Sequence, residues 1–166
     1  IKAAIMNTAG TPVRTGPDGI ELAPQRVGVG RVNAKAAVDN SVLAMVADMP
    51  GAVSVSFGTV EVVARMSMTR TVRLVNKGTK PVEIMATYEE VTKTPGVRYE
   101  IPRGPVRIPP RGTAPVSVTL RIDDPLALRR TIDPTVASTH SDLARQFVTD
   151  ASGRLVLTPK TGPQLR

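Results

Sequence analysis

The chain has 166 residues, enough for one ordinary domain and part of another, and 41% of them are hydrophobic, so a packed core is within reach. The net charge is +8, but Lys and Arg are spread along the whole length and only Arg129 and Arg130 are adjacent, which describes a solvated Arg-rich surface rather than a nucleic-acid stripe. The absence of Cys excludes a disulfide scaffold, a thiolate metal site and a Cys nucleophile, and no apolar run approaches the ~20 residues that cross a bilayer.

Residues 1–10, IKAAIMNTAG, read as a helix end, with Ile1, Ala4, Ile5 and Thr8 on one face and Gly10 as C-cap. Residues 11–27 carry three prolines and two glycines before the GVGRVNAKAAVDN stretch and are expected to be a loop. Asn33 is a good N-cap, and Ala34, Val38, Val42 and Met45 then share one side of a helix that Met49-Pro50-Gly51 stops. From there the period becomes two. Val53, Val55 and Phe57 alternate with Ser54 and Ser56; Val72 and Leu74 oppose Arg73; Val82, Ile84, Ala86 and Tyr88 oppose Glu83 and Glu89. Residues 97–101 and 116–122 alternate likewise, with Val116, Val118, Leu120 and Ile122 facing inward. Turn signals fall between them at 76–78, 94–96 and 109–112. Pro102, Pro105, Pro109 and Pro110 surround Val106-Arg107-Ile108, which suits an edge strand. Residues 123–135 read as a loop, 141–153 as starting a short helix capped by Ser141 or Asp142, and 154–159 as a strand, with Leu165 opening a further one. The fold class is therefore mainly β, an antiparallel β-sandwich preceded by two short helices.

No residue supports a catalytic, cofactor or metal assignment. Gly28 and Gly30 resemble part of a dinucleotide turn, but position 33 is Asn, no buried strand precedes them and no βαβ unit follows. They are expected to give a tight turn into a capped helix. His140 is the lone histidine; Ser138, Ser141 and Asp142 are its neighbours in sequence, and such local clustering rarely builds a triad. Asp123-Asp124 and Glu89-Glu90 are adjacent pairs, whose side chains point to opposite faces of a strand and chelate poorly. Arg103, Arg107 and Arg111 lie in a proline-rich stretch, and Phe57, Tyr88, Tyr99 and Phe147 are too few to build stacking platforms.

IKAAIMNTAG, a variable loop and then GVGRVNAKAAV resemble, in that order, the C-terminal end of the catalytic domain of subtilisin-like serine proteases. The family has a helix close to "IKAALMNTA" shortly after its nucleophile, and then Gly-Ala-Gly, a hydrophobic residue, Asn or Asp and Ala leading into its last helix. Ile1–Gly10 match the first signature; Gly28, Gly30, Val32, Asn33, Ala34, Ala37 and Val38 match the second. The remainder resembles the fibronectin-type-III-like (immunoglobulin-like) sandwich that follows the protease domain in large secreted members. The resemblance implies residues 1–48 as the last helices of a truncated catalytic domain and 49–166 as the sandwich, with its last strand missing or begun at Leu165. It also implies that the catalytic Asp, His and Ser and the oxyanion Asn precede Ile1, so that this stretch is not itself an enzyme and holds no cofactor, whereas its parent cleaves peptide bonds outside the cell or at the cell wall. Its partners would be the parent's protease domain and protein substrate, with neither nucleic acid nor a membrane span, and the helices' apolar faces would pack on the sandwich, on another copy, or fray. The rival reading is an interaction or adhesion module of a bacterial surface protein.

Overall fold

The structure, a computed structural model, describes residues 1–10, 12–15 and 19–166. Three short helices lead, α1 (Lys2–Asn7), α2 (Pro24–Val27) and α3 (Ala34–Asp39). The strands follow as β1 (Val42–Val46), β2 (Met66–Asn76), β3 (Val82–Thr92), β4 (Arg98–Glu100), β5 (Pro105–Ile108), β6 (Thr113–Ile122), β7 (Thr139–His140), β8 (Leu143–Ala144) and β9 (Ser152–Pro159). They form antiparallel sheets ordered β1-β2-β6-β4 and β5-β3-β9, with β7 and β8 as a separate small hairpin.

The two larger sheets share one hydrophobic cluster, as the facing layers of a sandwich do. Val72, Leu74, Val116 and Val118 come from the first sheet, and Ile84, Ala86, Ile108 and Leu157 from the second. In β2, β3 and β6 these inward positions alternate with more exposed ones, as the period-two pattern requires, whereas β9 buries Arg154 and Val156 on its other face as well. Each fully buried aliphatic side chain contributes about 1.5–3 kcal/mol. The 76–78 and 109–112 turns are fastened to each other. Asn76, 1% exposed, donates from Nδ2 to Lys80 O (2.8 Å) and Pro109 O (3.1 Å), while its Oδ1 accepts from Gly78 N (2.9 Å). The proline-flanked segment is an edge strand as expected, since β5 pairs with β3 alone.

Several local expectations are corrected. The helix begun at Asn33, whose Oδ1 accepts from Ala36 N, ends at Asp39, and residues 42–46 pair with β2. Asn40 turns its side chain back onto its own backbone, accepting at Oδ1 from Val42 N (3.0 Å) and donating through Nδ2 to Val42 O, which competes with another helical turn. Beyond it all five residues of VLAMV are apolar, and such a run fits helical and strand spacing alike. The first sheet thus takes a strand from within residues 1–48. Residues 53–57 keep their alternating exposure but form no strand and, among the described residues, have no ladder partner. The expected helix at 141–153 is instead the second half of the β7–β8 hairpin, an irregular stretch and the start of β9. Ser141 (φ 50°) and Asp142 (φ 63°) form the hairpin's two-residue turn, a left-handed conformation that Asp tolerates well. The 11–27 loop contains α2, started by Pro24 at its first turn, while Thr11 and residues 16–18 lie outside the described residues.

α1 is C-capped by Thr8, two residues before Gly10, and Thr8 Oγ1 donates to Ala4 O (2.7 Å). Of the expected face, Thr8 is buried and Ala4 half-buried, but the two isoleucines are not the packed residues. Ala3 and Asn7 are buried, while Ile1 is 100% and Ile5 38% exposed. α1 lies against β1 and α3. Asn7 makes the joint: its Oδ1 accepts from Ala44 N (2.8 Å), its Nδ2 donates to Arg166 O (3.4 Å) and its backbone carbonyl accepts from Arg166 N (2.7 Å). A single buried amide therefore connects the first helix, the edge of β1 and the C-terminal residues. Leu165 sits beside it with no exposed surface, in an isolated antiparallel bridge to Leu157.

Candidate functional site

The residues singled out from the sequence do not converge. Gly28 (φ 71°) caps α2 and Gly30 (φ 127°) continues the turn toward α3, conformations that favour glycine, so both serve the chain reversal. His140 is exposed on the β7–β8 hairpin and, among the described residues, makes no hydrogen bond with Ser138, Ser141 or Asp142. Asp124 caps the 3₁₀ turn Pro125–Ala127 by accepting from Leu126 N (2.9 Å). Asp123 instead accepts from Arg98 Nη2 (2.5 Å) and Arg121 Nη2 (3.2 Å), in a surface lattice that also ties Arg98 and Arg121 to Glu100. The Arg98 hydrogen bond is the main reason that the Asp123 carboxyl titrates below its ordinary range. Glu89 and Glu90 are exposed, as are Arg103, Arg107 and Arg111. No group of three His, Cys, Asp or Glu side chains suited to a metal forms among the described residues.

The aromatics do come together. Tyr99 lies 4.9 Å from Tyr88 and 5.9 Å from Phe57, centroid to centroid, in tilted pairs. Tyr99 Oη donates to Ala151 O (2.9 Å), and the Tyr88 ring lies over Gly153, where a Cβ would collide with the phenol oxygen. Burial pushes both phenols up, with Tyr99 and Glu90 adding to the effect at Tyr88. A phenol raised in the folded state leaves stability whole below the ordinary tyrosine value near ~10 and erodes it above. With two tyrosines and no tryptophan in the chain, tyrosinate absorbance reads the effect directly. Neither residue should ionise before the fold opens, and the ionisation and circular-dichroism transitions should coincide; a tyrosine titrating near ~10 in folded protein would contradict this burial.

Two further features carry more weight. The first is a set of large aliphatic side chains left exposed along the leading segment: Val32, in the turn before α3, is 63% and Val38 84% exposed, in addition to Ile1 and Ile5. These large aliphatic side chains lie on the segment that holds both family signatures. The second is a groove of about 420 Å³ beside the outer edge of β9, bounded by Leu155, Asn7, Arg166 and the unpaired 53–57 stretch. On β9 itself, Arg154 is buried and pairs with Glu21, which crosses from the segment before α2. Sequence patterning shows neither the Asn7 joint nor this groove, because both arise where the two chain ends meet.

Compared with known proteins, the chain matches no family model and no curated protein. No helix among the described residues is long and apolar enough to cross a membrane.

Proposed function

We propose that this chain is a non-catalytic accessory segment of a secreted subtilisin-like serine endopeptidase, which braces the protease domain and contributes to substrate recognition. The ordered signatures in residues 1–10 and 28–38 support this reading. The observation that carries it is the division of labour on α1. Asn7 and Ala3 hold the helix to the sheets, while Ile1 and Ile5, together with Val38 of α3, turn large aliphatic surface outward. A helix of six residues is marginal by itself, so its packed side keeps it folded and its free side remains for a neighbour. On this reading the neighbour is the body of the protease, which supplies the Ser nucleophile and His base, and the enzyme acts outside the cell or at its wall.

A second reading, an interaction or adhesion module of a bacterial surface protein, is favoured by the incompletely paired edge of β9. The two differ in what the apolar helix face does. The test is Ile5→Gln combined with Val38→Gln. In the 166-residue chain both positions are exposed, so the melting temperature should stay within about 2 °C. In the parent polypeptide with its protease body, the half-life of peptidase activity on heating should fall at least about fivefold. An unchanged half-life would remove the bracing role.

A further inference from the structure

We infer that a second groove, which shares Phe57 with the first, docks an extended peptide of another protein in which large apolar side chains alternate with carboxylates. This groove has a volume of about 440 Å³, and no residue of the leading 1–48 segment lines it. Its floor is Tyr99 of β4 with the buried Leu120 and Ile122 of β6. One wall is residues 57–62, and the other is Leu128 to Arg130 with Val148 to Ala151.

The first wall suits a peptide. Val60 and Val62 line the groove and are half-buried, while Glu61 and Val63 are exposed. Among the described residues, no backbone N–H or C=O of residues 59–63 has a hydrogen-bond partner within the chain. An extended segment laid along this wall can use those groups, whereas a compact small molecule cannot use them in series. The second wall supplies charge. Arg129 and Arg130 are the adjacent cations of the sequence, and main-chain carbonyls pin both. Arg129 Nη1 donates to Leu126 O (2.8 Å) and Leu128 O (2.9 Å), and Arg130 Nη2 donates to Phe147 O (3.1 Å). The Arg130 guanidinium also lies 4.5 Å from the centroid of the Phe147 ring. These neutral acceptors fix the two guanidiniums without cancelling their charge, and among the described residues neither forms a salt bridge. Asp150 is the one carboxylate on the lining among the described residues, so the groove is left net positive. Apolar surface runs on past the rim at Val63, Leu126 and Val148, all largely exposed, and a ligand confined to the groove would leave it in water. The complementary occupant is therefore a chain segment whose apolar side chains cover the valines while its carboxylates meet the two guanidinium forks. This docking goes beyond the protease reading and does not rest on it.

The experiment is fluorescence anisotropy with the 166-residue chain and labelled Gly-Asp-Leu-Asp-Leu-Asp-Gly, beside two controls in which Lys replaces Asp or Ser replaces Leu. The acidic leucine peptide should bind with a Kd on the order of 100 μM, and each control at least about tenfold more weakly. Raising the salt from about 0.05 M to about 0.5 M should weaken it at least about threefold. Arg129→Gln combined with Arg130→Gln should weaken binding at least about fivefold, and so should Val148→Asp, a change at an exposed position that leaves the fold in place. On adding the peptide, NMR amide shifts should move at Val60, Val62 and Val148. No binding at about 1 mM peptide, equal binding of either control, undiminished binding by the variants, or shifts confined to Asn7 and Leu155 would overturn the proposal. So would sedimentation of the chain with phosphatidylcholine–phosphatidylglycerol vesicles when the peptide does not bind, because the exposed aliphatics would then belong to a membrane contact.

Discussion

Replacing Asn7 with Ala is expected to destabilise the fold by about 3 kcal/mol, an effect far larger than an ordinary substitution near a chain end produces. The estimate follows from what the amide holds. Asn7 is 1% exposed, and its Oδ1 is the acceptor for Ala44 N at the edge of β1. Its Nδ2 also serves Arg166 O. Ala at this position leaves a buried N–H and a partly buried C=O without partners, at about 1–3 kcal/mol each where water does not reach them. In a chain of this size the melting temperature should drop by about 6–12 °C. Ile5→Ala on the same helix is the comparison, because its side chain is partly exposed and holds none of these hydrogen bonds, and its loss should stay within about 1 kcal/mol. Urea unfolding of the two variants side by side decides which face of α1 is structural. Equal effects, or a larger one for Ile5, would contradict the packing described.

The second large effect is expected at the other end. Leu165→Ala should cost about 3 kcal/mol, within the usual ~2–5 kcal/mol for emptying a buried leucine site. Residues so close to a chain end ordinarily fray. Here Leu165 has no exposed surface, belongs to the core cluster and is fastened through both backbone groups to Leu157. Arg166 follows it into the carbonyl of Asn7. The two ends therefore act as one unit, and the double variant Asn7→Ala, Leu165→Ala should lose less than the sum of the singles, with a coupling of at least about 0.5 kcal/mol. Strict additivity in the denaturation series would mean that the helix and the C-terminal residues are held independently.

The sheets were legible in the sequence because apolar residues there alternate with polar ones and turns are marked chemically. Val116 to Ile122 and Val82 to Tyr88 face as their spacing requires, and Asn76-Lys77-Gly78 turns where its residues predict. Legibility failed where the pattern carried no period or the partner was distant. Val42–Val46 is uniformly apolar, so spacing could not separate helix from strand, and the decision passed to pairing with β2, about thirty residues away in sequence. Val53–Phe57 shows the reverse case, a correct period with nothing to pair with. On α1 the spacing pointed to the isoleucines as packed residues, whereas an inward position is occupied by a polar amide whose partners, Ala44 and Arg166, lie 37 and 159 residues away. The same distance concealed the β9 groove. Of the residues singled out from the sequence, Asp123, Asp124, Gly28 and Gly30 all act in ion pairs, caps and turns.

The functional account turns on the polypeptide to which these helices belong, and the reading frame of the gene upstream of Ile1 tests it most directly. The account predicts a Gly-Thr-Ser-x-Ala segment a few tens of residues before Ile1, preceded by the Asp and His of the same catalytic domain. A frame that opens near Ile1, or one that runs upstream without a serine centre, would contradict it and leave the adhesion-module reading in its place.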